Sequence, residues 1–174
     1  LSSAVGYRFG ARQRSYDNYA MVTRNPDYFG IDMDSGRLSL DYVKLNYFEP
    51  SGELTFQNSL GWELRGFALF RIGINDSIYH LPSSQIGGQI HFNLKDKIRF
   101  ESTIIRHGER KALIGLSLID LAPYWDGRLS VVYTYNDQLN ATLKIDNIFN
   151  SRIDWWSGYT VQGFRANLGL VYKF

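Results

Sequence analysis

Phe164-Arg165-Ala166-Asn167-Leu168-Gly169-Leu170-Val171-Tyr172-Lys173-Phe174 is the stretch whose reading decides the fold. In an extended chain successive side chains point to opposite faces. Phe164, Ala166, Leu168, Leu170, Tyr172 and Phe174 therefore share one face, and Arg165, Asn167, Gly169, Val171 and Lys173 the other. One face is apolar and the other carries charge, amide and glycine. Such a strand of about eleven residues crosses a bilayer when tilted.

Working back from this strand, the theme repeats. Leu139, Ala141, Leu143 and Ile145 oppose Asn140, Thr142, Lys144 and Asp146, and before them Leu129, Val131, Tyr133 and Tyr135 oppose Arg128, Ser130, Val132 and Thr134. The two runs are joined by Asn136-Asp137-Gln138, a tight turn by residue type. Lys95-Asp96-Lys97 is a second short turn, between a strand with Ile86, Ile90, Phe92 and Leu94 and one with Ile98, Phe100 and Ile104. Glu49-Pro50-Ser51-Gly52 reads as a third, followed by a long strand carrying Leu54, Phe56, Leu60, Trp62 and Leu64. Val5, Tyr7 and Phe9 suggest a first strand. Longer links separate the hairpins: Ser15 to Gly36, His107 to Tyr124 with the unassigned apolar run Leu113–Ile119, and Asn150 to Gly163.

The count is about eight antiparallel strands, with short turns at one end and long loops at the other, which is the asymmetry of outer-membrane barrels. If Phe174 ends at the periplasm, parity places Asn136, Lys95 and Pro50 there too. A soluble antiparallel sandwich or lipocalin-like barrel also alternates, with its apolar face inward. Aromatics at strand ends, among them Tyr47, Phe48, Tyr133, Tyr135, Tyr172 and Phe174, favour interfacial girdles over a packed core.

Composition is compatible with this reading. The 174 residues form one domain, 1–174, with no cysteine, 44% hydrophobic and 16% aromatic residues and a formal charge of +2. Scattered Lys and Arg provide no stripe for nucleic acid. No run approaches the ~18 apolar residues of a membrane helix, and the mean hydropathy of −0.26 is what alternating strands average to. Leu1-Ser2-Ser3 has no basic or apolar leader character.

Asn167-x-Gly169-x-x-Tyr172-x-Phe174 resembles the β-signal by which outer-membrane barrels are recognised by the barrel assembly machinery. The pattern has a physical basis, since the last strand offers an edge for strand addition while its apolar side meets lipid. Upstream, Pro123-Tyr124, then Asn147-Ile148-Phe149-Asn150, then Gly158-Tyr159 resemble elements of the last three strands of TonB-dependent receptors. In that family a Pro-Tyr enters one strand, an Asn-Leu-Phe-Asp/Asn element ends the next, and a Gly-Tyr loop leads into the closing strand. Here Ile148 stands for Leu. The resemblance covers about the last 55 residues; the family's TonB box and plug are not in this sequence, and Trp155-Trp156 with Tyr159 also looks like plugless relatives from Bacteroidetes-type bacteria.

The resemblance implies an all-β antiparallel transmembrane barrel in the bacterial outer membrane, with these strands the C-terminal part of a barrel of about 22. It implies the wall of a transport or assembly protein, whose partners are outer-membrane lipid, the assembly machinery and further strands of the same protein or of partner subunits. The alternative is a complete eight-stranded barrel of structural or adhesive role, closed by Val5–Ala11 against Phe164–Phe174. Arg99, Glu101, Lys144, Asp146, Arg165 and Lys173 fall on the lumen side, as cross-strand pairs or as a bias on solutes. His80, His91 and His107 lie in different elements, outside any nucleophile motif and too scattered for a metal, so no catalytic residue and no cofactor is expected. Gly87-Gly88 precedes no helix and reads as close packing, not a phosphate loop.

Overall fold

A computed structural model describes residues 2–24, 38–74, 79–114, 117–156 and 159–174. Eight long strands run in an antiparallel meander: β1 Ser3–Arg24, β2 Leu38–Asn58, β3 Trp62–Phe70, β4 Ser84–Leu94, β5 Ile98–His107, β8 Tyr124–Thr134, β9 Leu139–Asp146 and β12 Arg165–Tyr172. The long links carry four short strands, β6 Arg110–Ile114 with β7 Ser117–Leu121, and β10 Asp154–Trp156 with β11 Tyr159–Thr160. Of the apolar run Leu113–Ile119, the described residues 113–114 and 117–119 thus belong to the paired strands β6 and β7.

The sheet order is β12-β9-β8-β5-β4-β3-β2-β1, continued by β6 and β7 through a single bridge from Arg24 to Ile114. Among the described residues β1 and β12 do not pair, so the sheet is open. Register carries the alternation across strands. Leu54, Gly66, Gly88, Ile104 and Gly127 form one row, and Gln57, Glu63, His91, Glu101, Ser130, Lys144 and Asn167 another on the opposite face. The first face is apolar and stays exposed: Val5, Tyr7, Phe9, Leu168 and Leu170 are each more than 70% accessible. It has two aromatic bands. Trp62 stacks on Phe92 at 4.2 Å and Tyr172 meets Phe174 edge-on at the short-turn end, while Trp125 and Phe149 lie together near the loop end.

Three described short turns share one device, an Asn side chain that satisfies turn amides. Asn136 Oδ1 accepts the amides of Gln138 and Leu139. Asn93 exchanges bonds with Asp96 beneath a turn in which Lys95 and Asp96 both have positive φ, as a type I′ hairpin requires. Asn58 Oδ1 accepts the amides of Leu60 and Trp62, and Gly61 completes that turn at φ +88°.

Four expectations are corrected. Glu49-Pro50-Ser51-Gly52 is no turn but lies inside the 21-residue β2, and the run Leu54 to Leu64 is two strands, not one. Proline is tolerated because of where its missing donor falls. Phe48 exchanges both backbone bonds with Ile72, so Pro50 has the same parity and would donate toward Phe70, where β3 ends. Ser15 to Arg24, expected as loop, extends β1, which pairs with β2 as far as Leu38; the remainder of that expected loop, 25–36, lies outside the described residues. Tyr47, expected in a girdle, is on the polar face and only 7% exposed. It packs with Leu45 against Ile74, Tyr79 and Leu81 of the β3–β4 link.

Gly61 generates a test of this architecture. A Cβ there would lie 2.2 Å from the Asn93 carbonyl oxygen, and φ is in the left-handed region, whereas a Cβ on Gly66 meets nothing within 4 Å. Gly61→Val should lower the unfolding free energy of the full-length protein in detergent by at least about 1–3 kcal/mol. Gly66→Ala should stay within about 0.5 kcal/mol. Equal urea midpoints for the two variants would remove this turn.

Candidate functional site

The loop between β9 and β12 folds back over the polar face, and the corner that turns it is Asn147-Ile148-Phe149-Asn150. Asn147 and Asn150 both have positive φ, a conformation asparagine tolerates better than most residues. Asn147 is buried and fully used: its Nδ2 donates to the carbonyls of Ser151 (2.9 Å) and Gln162 (3.3 Å), and its Oδ1 accepts the Ser151 amide (2.9 Å). Asn150 Oδ1 accepts the Phe164 amide at 2.9 Å and so sets where β12 begins. The Ile148 amide donates to the Gly127 carbonyl, and Phe149 covers Gly127 so closely that a Cβ there would lie 2.7 Å from its ring.

A second link pins the loop to β8 and to the β5–β8 connection. Buried Arg110 donates from Nη1 to the Asp154 carbonyl at 2.7 Å and lies 4.7 Å over the Tyr124 ring, which stacks on His107 at 4.6 Å. Burial lowers the Arg110 pKa, so this cation is held by a carbonyl and a π face where water would otherwise hold it. His80, tied by its amide to the Lys111 carbonyl, is pulled down to about 4 by burial and by the Arg110 charge. It is therefore neutral at physiological pH.

Under the loop lies a polar cavity of about 410 Å3, lined by Asp126, Arg128, Asp146, Asn147, Gln162 and Arg165 together with Ile153, Val161 and Gly163. Arg165 grips Asp146 through Nη2 at 2.7 Å and Nε at 3.2 Å and reaches Gln162; Arg128 pairs with Asp126 at 3.0 Å. Two cations and two carboxylates give a mixed lining that suits a polar ligand with hydrogen-bonding groups of both kinds. Farther round the face, Arg65 pairs with Glu53 at 2.6 Å and Gln89 at 3.2 Å, and Glu49 lies between Arg14 and Arg71.

The sequence-derived residues are distributed over these features. Arg99, Glu101, Lys144, Asp146, Arg165 and Lys173 share the polar face by parity; of these the structure joins Arg165 with Asp146 and sets Glu101 3.5 Å from His91 Nδ1. Among the described residues Arg99, Lys144 and Lys173 have no ion pair. Asn167 and Gly169 lie on the polar face of β12 and Tyr172 and Phe174 on the apolar one, along an edge without a described partner. Pro123 precedes β8, whose first residue is Tyr124. Tyr159 begins β11. Gly158 lies outside the described residues. Sequence reasoning missed Arg110 and the Glu49 cluster, because burial of a charge by a contact distant in sequence leaves no periodic trace.

No family model matches the sequence, and no curated protein matches it. Solved structures do. The siderophore receptor PirA from Acinetobacter baumannii superposes with a TM-score of 0.69 at 13% identity, over 98% of this chain and 30% of that one. A variant of the ferric enterobactin receptor PfeA from Pseudomonas aeruginosa gives 0.65 at 14%, over 97% and 29%. The pyoverdine outer membrane receptor FpvA from Pseudomonas aeruginosa gives 0.62 at 14%, over 99% and 27%. The chain thus spans under a third of these receptors' length, and its fold is that of a segment of their barrel wall.

The corner is directly testable. Asn147→Ala leaves the Ser151 amide and two carbonyls without their partner, at a cost of about 1–3 kcal/mol. If opening of the loop is local, cleavage within 151–163 by a protease on the folded full-length protein should accelerate roughly five- to 150-fold. Asn147→Asp, which keeps the acceptor, should fall between. Unchanged cleavage in both would contradict the role of Asn147.

Proposed function

We propose that this chain is part of the wall of a receptor-type uptake barrel in the bacterial outer membrane, with its apolar face in lipid and its polar face lining the lumen. The open eight-stranded ladder carries this reading. In hydrocarbon a free strand edge would leave about five N–H and C=O pairs unsatisfied at several kcal/mol per group, so β1 and β12 both need further strands as neighbours. A closed barrel of eight would instead pair β1 with β12; the lack of that pairing among the described residues favours the larger barrel.

On this reading the short turns at Asn58, Lys95 and Asn136 face the periplasm, and the loops carrying β6–β7 and β10–β11 form the outer mouth. The cavity beneath Asn147 and Gln162 then opens on the path of a solute, and its paired charges suit a polar cargo. Because the structural neighbours include siderophore receptors, iron chelates are the first cargo class to examine. Asn167, Gly169, Tyr172 and Phe174 act in this proposal as the assembly signal: an exposed β12 edge is offered for strand addition while the two aromatics anchor the periplasmic interface.

Uptake and assembly can be read in one experiment. Cells carrying the full-length protein should accumulate radioactive iron from at least one ferric siderophore above the level of cells lacking it. Deletion of Phe174, or Tyr172→Asp, should reduce the protein's outer-membrane level and the uptake in parallel. Uptake indifferent to the protein across a siderophore panel would overturn the cargo class, and normal membrane levels in both variants would overturn the assembly role.

A further inference from the structure

The apolar faces of β3, β4, β5, β8, β9 and β12 carry one charged side chain, Arg106. By register it stands between Ile86 of β4 and Trp125 of β8. It is exposed, and no carboxylate pairs with it among the described residues. An arginine on a lipid-facing strand costs about 2–4 kcal/mol at the bilayer midplane and about 0–1 near the interface. Its level is that of the loop-end aromatic band, where Trp125 and Phe149 are both about half exposed. Tryptophan at that position marks the headgroup region.

Directly below Arg106 the same face is hollowed. Gly66 and Gly88 are cross-strand partners and floor a groove of about 270 Å3 walled by Leu64, Ile90 and Ile104. Ile104 lies two residues before Arg106 on one strand, so the cation stands about 7 Å above the groove's rim. A Cβ on Gly66 would meet nothing within 4 Å, so the hollow is open on its lipid side. An unpaired planar cation above an apolar channel is complementary to an amphiphile with an anionic head and a hydrocarbon tail.

We propose that Arg106 and the Gly66–Gly88 groove bind a phosphorylated lipid of the outer leaflet, with its phosphate on the guanidinium and an acyl chain along the groove. The inference rests on the apolar face being in lipid. It goes beyond the uptake reading in assigning a specific lipid site to the outside of the wall.

The test uses purified full-length protein in detergent, native mass spectrometry, and two lipid probes: diphosphorylated lipid A and phosphatidylethanolamine. Wild type should retain lipid A in preference to phosphatidylethanolamine. R106Q should lower lipid A retention about fivefold, equivalent to about 1 kcal/mol for one basic residue at an anionic surface, and leave phosphatidylethanolamine unchanged. R106K should keep most of the retention, and G66L, which fills the groove, should lose it; heat-modifiable mobility on gels verifies that each variant is folded. Equal lipid A retention by wild type and R106Q would overturn the site. Competition by inorganic phosphate with no effect of G66L would reassign it to a free anion, and a second copy of the chain held in place of lipid and released by G66L would reassign it to self-association; either overturns the proposal. Wild type that retains neither lipid would likewise overturn the site, whereas a polar environment at a spin label on Ile104 in bilayers would sink the lipid-facing reading on which the proposal stands.

Discussion

A peptide group in hydrocarbon has no water to bond, so a strand that crosses a membrane must find both of its neighbours within the protein. The rest of the structure depends on this constraint. From β2 to β9 each long strand is bonded on both sides, and Pro50, which cannot donate, stands where the ladder toward β3 runs out. The cost of the two remaining edges, tens of kcal/mol if left bare in lipid, exceeds the whole stability of an ordinary domain. Edge pairing is therefore a condition for existence in the membrane and no mere refinement.

At the loop end the same chain solves a different problem. The loops cover the polar face through buried charges that are individually held. Arg110 rests on Tyr124 and the Asp154 carbonyl; Glu49 lies between Arg14 and Arg71, and Arg71 also donates to the Pro82 carbonyl. Removing one member of such a group strands the others, which makes these contacts specific as well as costly to break. Backbone bonds from His80 to Lys111 and from Ser83 to Glu109 join the β3–β4 and β5–β8 links, and Arg110 joins the latter to the β9–β12 link that lies over the cavity.

Period-two alternation made both faces legible wherever strands were regular, and for β8, β9 and β12 it matches the observed register. It failed at Pro50, because a proline read as a turn is equally at home where a neighbouring strand stops. Asn58 and Gly61 held the real turn, but Leu60 and Trp62 continue the apolar pattern through it and masked the break. Ser15–Arg24 reads as loop because its residues, beginning Ser15-Tyr16-Asp17-Asn18, do not alternate between polar and apolar. The Asn147–Asn150 element was visible as a motif without its reason, which is a pair of left-handed asparagines and a glycine, Gly127, one strand away. Contacts of that kind, here from Gly127 to Ile148 and Phe149, join residues far apart in sequence and follow no period.

The account stands or falls on which side of the sheet meets lipid. Single spin labels along β4 and β12 of the full-length protein in bilayers, scanned for collision with oxygen and with a water-soluble nickel chelate, measure this directly. The account predicts strict alternation: Ile90, Phe92, Leu168 and Leu170 favour oxygen, and Gln89, His91, Asn167 and Gly169 favour nickel. Uniform accessibility along either strand, or the opposite phase, would contradict it.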